Sequence, residues 1–419
     1  MSVRAKAAGM ALLIALCAIA TNAMAAIPVE ERQALLDLYA STNGDDWDIN
    51  DGWNGAAGTE CSWAFVTCDA PGEHVTELRF SELTFLDGNN LVGTLPASLN
   101  DLTALRVLIL AYNPVTGAFP DISALTSLDT VQLGGTHFTG PLPALASLRH
   151  LRIFNAPNSG FSGAIPSLAG LAELAVFTAD SCALTGEIPP LDGLASLSYF
   201  SVTHNALSGP IPSLSNVPEL SYFAVGDNRL TGPIPPIAGL RNLTAFDVSR
   251  NLLSGEIPPL TDVPLLQAID VSSNALTGHL PSLADVPLIE LFRADDNGLD
   301  GALPSLAGLG FLSSFTVTHN ELTGPLPSLE GLENLIQLGV AFNRLSGALP
   351  PPPDSLSDNQ GPLPGNAATL CPNQFDPTPS ADWDAATGQT PWYTDCQQTT
   401  VDLNQFGLTG TWYDPTMSG

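Results

Sequence analysis

The chain has 419 residues, 44% hydrophobic and 13% charged, with 37 glycines and 36 prolines, so it is apolar enough for a core yet punctuated by turns throughout. Its 42 acidic residues face only 12 basic ones, a net charge of −30. Nucleic acid and anionic membrane surfaces, which need clustered Lys and Arg, are disfavoured as partners, and a basic protein or peptide fits better.

Arg4 and Lys6 precede an apolar stretch from Ala7 to Ala20, and Ala23-Met24-Ala25 offers a small-x-small cleavage pattern. Residues 1–25 therefore read as a signal peptide, too short to span a membrane comfortably. Leu16 stands before Cys17 where a lipoprotein needs a small residue, so export without a lipid anchor is expected. The mature chain should be secreted and extracellular, or held at the cell surface or in the periplasm, with no membrane insertion. Losing the leader leaves 10 basic residues and no lysine.

Residues 26–74 read as an amino-terminal cap. The stretch from Glu31 to Tyr39 has an amphipathic helical pattern, and Trp47 and Trp53 follow it. The run from Asp45 to Gly52 alternates oxygen-bearing side chains, but counted from Asp46 its glycine falls at the seventh place and the twelfth is Ala57, so a solvated turn is expected rather than a calcium loop.

Residues 75–350 are a repeat array. Twelve glycines recur from Gly93 to Gly347 at steps of 23 residues, with one step of 24. Three residues after each stands a proline, from Pro96 to Pro350. A fixed period of this size marks a solenoid, since Leu197, Phe200, Val202, Leu207 and Ile211 of one unit can be buried only by stacking units. The alternation around Phe200 and Val202 predicts a short strand with Tyr199, Ser201 and Thr203 facing outward. Stacked copies make one long parallel sheet. Between Leu78 and Gly93 the chain carries about six residues too many for a regular unit, so the opening turn should bulge.

Four residues before each glycine comes a structural column: Asn89, Asn113, Thr136, Ser159, Cys182, Asn205, Asn228, Asn251, Asn274, Asn297, Asn320 and Asn343. A buried asparagine there can donate to and accept from backbone groups that a tight turn leaves unpaired. The ladder should be weakest across turns three to five, where Thr, Ser and Cys replace it, and Cys182 reads as a small buried thiol.

The recurring L-x-x-L-x-L-x-x-N-x-L-[ST]-G-x-[IL]-P pattern resembles the plant-type leucine-rich repeat of receptor-kinase ectodomains and polygalacturonase-inhibiting proteins. The resemblance implies a curved α/β solenoid of about twelve units, with its strands on the concave side and both ends capped. Cys61-Ser-Trp63-Ala-Phe65-Val66-Thr-Cys68 resembles the C-x-W-x-G-V-x-C cap of that family, with Phe65 in place of glycine. An exported chain would let Cys61 pair with Cys68 and Cys371 with Cys396. The spacings and the lack of a nearby histidine fit zinc poorly, and neither metal nor cofactor is expected.

Past Pro350 the rhythm fails. Residues 351–396 hold a proline-rich connector and a carboxy-terminal cap with Trp383, Trp392 and Tyr393, made acidic by Asp376, Asp382, Asp384 and Asp395. Residues 397–419 resemble the start of a further β-rich module or tail.

Recognition should lie on the outward strand positions, which the scaffold holds in parallel rows. Eight residues before the glycines these run from Ile109 and Gln132 to Gly339. The columns gather Asp227, Asp247, Asp270, Asp295 and Asp296, relieved by Arg250 and Arg293, with Tyr199 and Tyr222 beside them. This strip is the expected contact surface for a protein or peptide, bound by a monomer. The six histidines are scattered, and no nucleophile or metalloprotease motif occurs, so the chain reads as non-catalytic. Rival readings are a structural or adhesive envelope protein, an inhibitor of a secreted hydrolase, and, more weakly, an ice- or surface-binding protein using the Thr/Ser row before the glycines. Low lysine and high alanine suggest a bacterial source.

Overall fold

The structure, a computed structural model, describes residues 27–82, 87–357, 367–394 and 396. The expected signal peptide, the centre of the proline-rich connector, Asp395 and the tail from 397 lie outside the described residues. Every repeat contributes a three-residue strand to one curved sheet of 14 strands, ordered along the chain. Neighbours pair in parallel without slippage: Tyr199 lies beside Tyr222, Tyr222 beside Ala245, and Ala245 beside Ala268. A step of 23 residues returns the chain to the same register each time, so like residues stack on like.

The two ends depart from this step in different ways. Strand β1 (Val66–Cys68) runs antiparallel to β2 (Val75–Arg79), whose Glu77 pairs with Val107 of the first regular strand. Within that surplus, Ser81–Glu82 pairs antiparallel with Asp87–Gly88. At the far end Leu338 pairs with Ala368, so the cap adds a further rung to the sheet.

A second parallel sheet follows the asparagine column, built from strands such as Ala206–Gly209 and Arg229–Gly232. Its glycines have φ near +80°, for example +81° at Gly140 and +78° at Gly163, and a Cβ at either would meet nothing within 4 Å. At these two positions glycine answers to backbone handedness rather than crowding, whereas at Gly93 a Cβ would also clash with the Ser41 carbonyl. The return path is made of turns, with a short 3-10 helix at Ala97–Asp101 in the first unit.

Between the sheets runs one unbroken apolar interior. Phe154, Phe177, Phe200, Phe223 and Phe246 stack at 5.5 to 5.6 Å with successive rings tilted by only 15° to 17°. Leu197, Val202, Leu207 and Ile211 line the same core, as their spacing predicted.

Each asparagine stitches this core to the turn before it. Asn205 Nδ2 reaches the carbonyls of Ala179, Val202 and Thr203, at 2.9, 3.1 and 3.1 Å, while its Oδ1 accepts the Leu184 amide. Asn228, Asn251, Asn274, Asn297, Asn320 and Asn343 repeat the pattern. Asn113 does the same for the first units, taking the amides of Asn89 and Leu91. Across turns three to five the bonding thins: Thr136 and Ser159 reach carbonyls and each other, and Cys182 donates weakly to Ala156 and Asp180. Burial pushes the free Cys182 thiol up, which keeps it protonated and poorly nucleophilic. An additional rung appears in the cap, where Asn373 binds the carbonyls of Val340 and Leu370 and accepts from Leu345.

Both ends of the core are sealed. Helix α1 (Val29–Ser41) buries Ala34, Leu35 and Leu38 over the first turn, and beneath it Trp47 packs edge to face on Trp53 and Phe80 while Trp63 lies tilted against Trp53. Arg32 pairs with the buried Glu60 and lies over the Trp63 ring. The sulfurs of Cys61 and Cys68 are bonded, and Phe65 between them takes φ +67°, the left-handed conformation that a glycine would adopt freely. Its ring packs on Phe80 in return. In the run that resembled a calcium loop, Asp45 accepts from Tyr39 and Asp46 from Asn43. The far cap joins Cys371 to Cys396 and anchors Trp383 on the Pro350 carbonyl.

Two outcomes follow from this bonding. Asn251→Ala strands the Leu230 amide and buried carbonyls, and should lower unfolding stability by about 3 kcal/mol in chemical denaturation, with Thr136→Ala costing clearly less. His74 bonds to the buried Glu31, whose other oxygen holds the Val75 amide, and that hydrogen bond raises the His74 pKa above its ordinary 6.5. The stabilisation is thus fully present below pH 6.5 and lost as pH rises through the raised value. Thermal melts between pH 6 and 9 should show this loss in the native chain and not in His74→Gln.

Candidate ligand-binding face

The concave sheet presents four columns of side chains, ten, eight, six and five residues before each glycine. The next place is the buried column of asparagines and their replacements, so the residue five before the glycine must turn the chain sharply. From Tyr112 to Phe342 that whole column lies in the left-handed region, including His204 at φ 55°, Asp227 at 53° and Arg250 at 52°. Non-glycine residues adopt it at a cost of order 1 kcal/mol each. The amides of His204, Asp227 and Arg250 are held by carbonyls of the following turn, at Gly226, Ser249 and Ser272. The result is a strained edge whose side chains project outward: Tyr112 and Phe342 are among the most exposed large apolar residues.

The column eight before the glycines behaves differently from the expectation of a free recognition row. Ile109, Gln132, Thr178, Ser201, Ala224 and Thr316 are all buried. Neighbouring columns on a tightly stacked sheet close over the central one, so accessibility is confined to Asn155, Asp247, Asp270 and Arg293 within it.

The acidic strip is not a row of equivalent free charges. Asp295 accepts from the hydroxyls of Thr316 and Thr318 and from the Thr318 amide, and Asp180 makes the same three bonds to Ser201 and Thr203 one turn on. Asp247 and Asp270 each use one oxygen within their own turn, on the amide and hydroxyl of Ser249 and of Ser272. Asp227 stands between His204 at 3.1 Å and Arg250 at 3.6 Å, and Asp296 faces His319 at 3.5 Å. Arg293 approaches Asp270 no closer than 3.9 Å. Burial pushes the Asp270 carboxyl up, opposed by its Ser272 bonds, with Asp247 adding to the rise and Arg293 reducing it.

Tyr199 and Tyr222 stack face to face, centroids 4.2 Å apart and planes 1° from parallel. Burial, then the Tyr222 neighbour, pushes the Tyr199 phenol up to about 12. Towards the far end the sheet forms an open trough of about 460 Å³. It brings together Arg250, Asp270, Arg293, Asp295 and Asp296, and leaves Tyr199, Tyr222, Asp227 and Asp247 outside, toward the first half of the array. It also recruits His319, Gln337, Gly339 and, from the cap, Thr369. Gly339 keeps the floor low, since a Cβ there would come within 3.0 to 3.2 Å of Thr316 and Thr318. Thr369 escapes the glycine–proline rhythm, although Leu370-x-x-Asn373-x-Phe375 repeats the spacing of the column.

The family description "leucine rich repeat N-terminal domain" matches residues 29–69, helix α1 and the first disulfide included. Receptor-like protein kinase 7 of Arabidopsis thaliana is 31% identical over 115 residues, 23% of this chain and 12% of that protein. The solved complex of the plant peptide hormone receptor RGFR1 with RGF2 aligns with a TM-score of 0.60 and 33% identity, covering 64% of this chain and 44% of the receptor chain. The repeat array is a leucine-rich-repeat-type α/β solenoid that resembles the extracellular domains of plant receptor kinases. The chain spans less than half the length of those two relatives. A plant ice-binding protein also aligns, with a TM-score of 0.53 and 25% identity, over 73% of this chain and 91% of that one. The relatives are plant proteins, so the bacterial source suggested by composition is not what these comparisons point to. Among the described residues no helix is long and apolar enough to cross a membrane.

Proposed function

We propose that the domain is an extracellular, non-catalytic scaffold that binds a protein or peptide on its concave face, acting as a monomer between caps at residues 26–74 and 351–396. The observation that carries this reading is the open, polar trough built from successive turns on a sheet whose likeness, at 33% identity, is to a peptide hormone receptor in complex. Tyr199, Tyr222, Asp227, Asp247, Arg250, Asp270, Arg293, Asp295 and Asp296 are its proposed contact residues, and an excess of carboxylates among them favours a basic partner. The scaffold needs no cofactor for this role, and its interior contributes rigidity rather than chemistry.

Photo-crosslinking groups placed at Asp296 or Tyr222 should trap a discrete partner from the surrounding extracellular fluid. The same groups at the return-side Asn242 or Phe311 should not. Equal trapping from both sides, or trapping from the return side alone, would defeat the assignment.

A second reading has one observation in its favour. Thr116, Thr139, Thr185, Thr231, Ser254 and Thr277 form an exposed row on the second sheet, at the period of the array, and a plant ice-binding protein shares the fold. The row is broken by Asp300, and the neighbouring column carries Arg229, Glu321 and Arg344, which interrupt any flat, uniform surface. Thermal hysteresis is therefore expected to be absent. Ice shaping by the purified protein would reverse the order of the two readings.

A further inference from the structure

The carboxylates of the concave face differ in how far they are already satisfied, and one pair stands out. Asp295 is engaged through both oxygens by hydroxyls and an amide, Asp180 takes three donors of the next turn on one oxygen with no carboxylate beside it in the column, and Asp227 and Asp296 each have a cationic or imidazole neighbour. Asp247 and Asp270 lie side by side on adjacent strands, each with one oxygen engaged by its own turn. Among the described residues nothing bonds to Asp247 Oδ2, and Asp270 Oδ2 has only Arg293 at 3.9 Å. Two neighbouring, half-buried carboxylates repel each other: burial pushes the Asp270 carboxyl up, and Asp247 beside it adds a smaller rise.

Beside this pair the adjoining column is cut away. It runs Tyr222, Ala245, Ala268, Leu291 in direct register, so two methyl groups form a floor between an aromatic wall and a leucine wall. The walls are three strand steps apart, about 14 Å at the usual interstrand spacing. All four residues are half-buried, hence still reachable. Tyr199 covers one face of the Tyr222 ring, and the other face looks into the notch.

We propose that this notch is a docking slot for an arginine side chain of the bound protein or peptide, its guanidinium lying against Tyr222 and donating to Asp247 and Asp270. The inference rests on the concave-face binding reading and names what that face selects. Three features of the slot each match one property of arginine. The alanine floor accepts an aliphatic stem. The free tyrosine face accepts a planar cation by stacking. The unmatched carboxylate oxygens accept a fork of donors in the plane of that cation. Lysine satisfies the charge but not the stacking plane. The surrounding charge reinforces the choice, since the mature chain offers no lysine and few arginines of its own to compete.

The test pans the full mature protein against a bead-displayed library of random heptapeptides. Selected peptides are then remade with citrulline or lysine in place of each arginine, and affinity is measured by fluorescence anisotropy. Arginine should be enriched, citrulline should weaken binding at least about tenfold, and lysine should fall between. Asp247→Asn combined with Asp270→Asn should cost a similar factor and abolish the difference between arginine and citrulline, as coupled partners do. Ala268→Leu, which fills the notch without touching a charge, should give the same loss, and melting curves establish that each variant is folded. Concave-face binders that are indifferent to citrulline and to these substitutions would overturn the slot while leaving concave binding intact. A library that yields no concave binder would overturn both. Displacement of the peptide by millimolar calcium acting at the two carboxylates would make the pair a cation site and likewise overturn the proposal.

Discussion

The structure depends on how the backbone is satisfied where each concave strand bends into the second sheet. That bend puts a residue in the left-handed region in every turn and turns amides and carbonyls inward, where water cannot reach them. In nine of the twelve turns an asparagine resolves this by spanning two turns at once: Asn251 binds the carbonyls of Val225, Val248 and Ser249 and accepts the Leu230 amide. A hydrophobic interior alone would bind the coils together without fixing their register, because apolar contact is non-directional. The ladder supplies the direction, and the stacked phenylalanines supply the area.

From this constraint the rest follows in order. Fixed register stacks identical positions, so Tyr199 meets Tyr222, Asp247 meets Asp270, and hydroxyls meet carboxylates one turn away. The concave face is therefore a set of columns whose chemistry is decided by pairs of turns rather than by single residues. Side chains that match across a turn, such as Asp295 with Thr316 and Thr318, become part of the wall. Those that do not match, such as Asp247 Oδ2, are left facing outward from the wall, and the proposed binding reading rests on them.

Much of the architecture is legible in the chain itself. The 23-residue period of glycines and leucines announces a solenoid, the amphipathic run after Glu31 announces α1, and the substitution of asparagine at Thr136, Ser159 and Cys182 announces where the ladder thins. Other features are hidden for physical reasons. Nothing in His204, Arg250 or Phe342 signals a left-handed backbone, because the strain is imposed by the bend that every unit makes there, as at Asn158 and Ser181, which no asparagine follows. The burial of Gln132 and Thr178 comes from the closeness of neighbouring columns, which no single repeat encodes. Asn373 was masked by the loss of the glycine that marks every other rung, although its own spacing from Leu370 and Phe375 is regular. The difference between saturated and unsaturated carboxylates needs cross-turn register, and only then does Asp295 with Thr316-Val317-Thr318 differ from Asp247-Val248-Ser249.

Native-state hydrogen exchange resolved to single amides tests the central claim most directly. If the ladder sets the register, the amides of Leu207, Leu230, Leu253, Leu276, Leu299 and Leu322, each accepted by an asparagine of the next turn, exchange slowly and together. Those of Val115, Phe138 and Phe161, which face Thr136, Ser159 and Cys182, exchange markedly faster. Equal protection along the whole array, or rapid exchange at the asparagine-bound amides while the core stays folded, would show that apolar stacking sets the register unaided and would contradict this account.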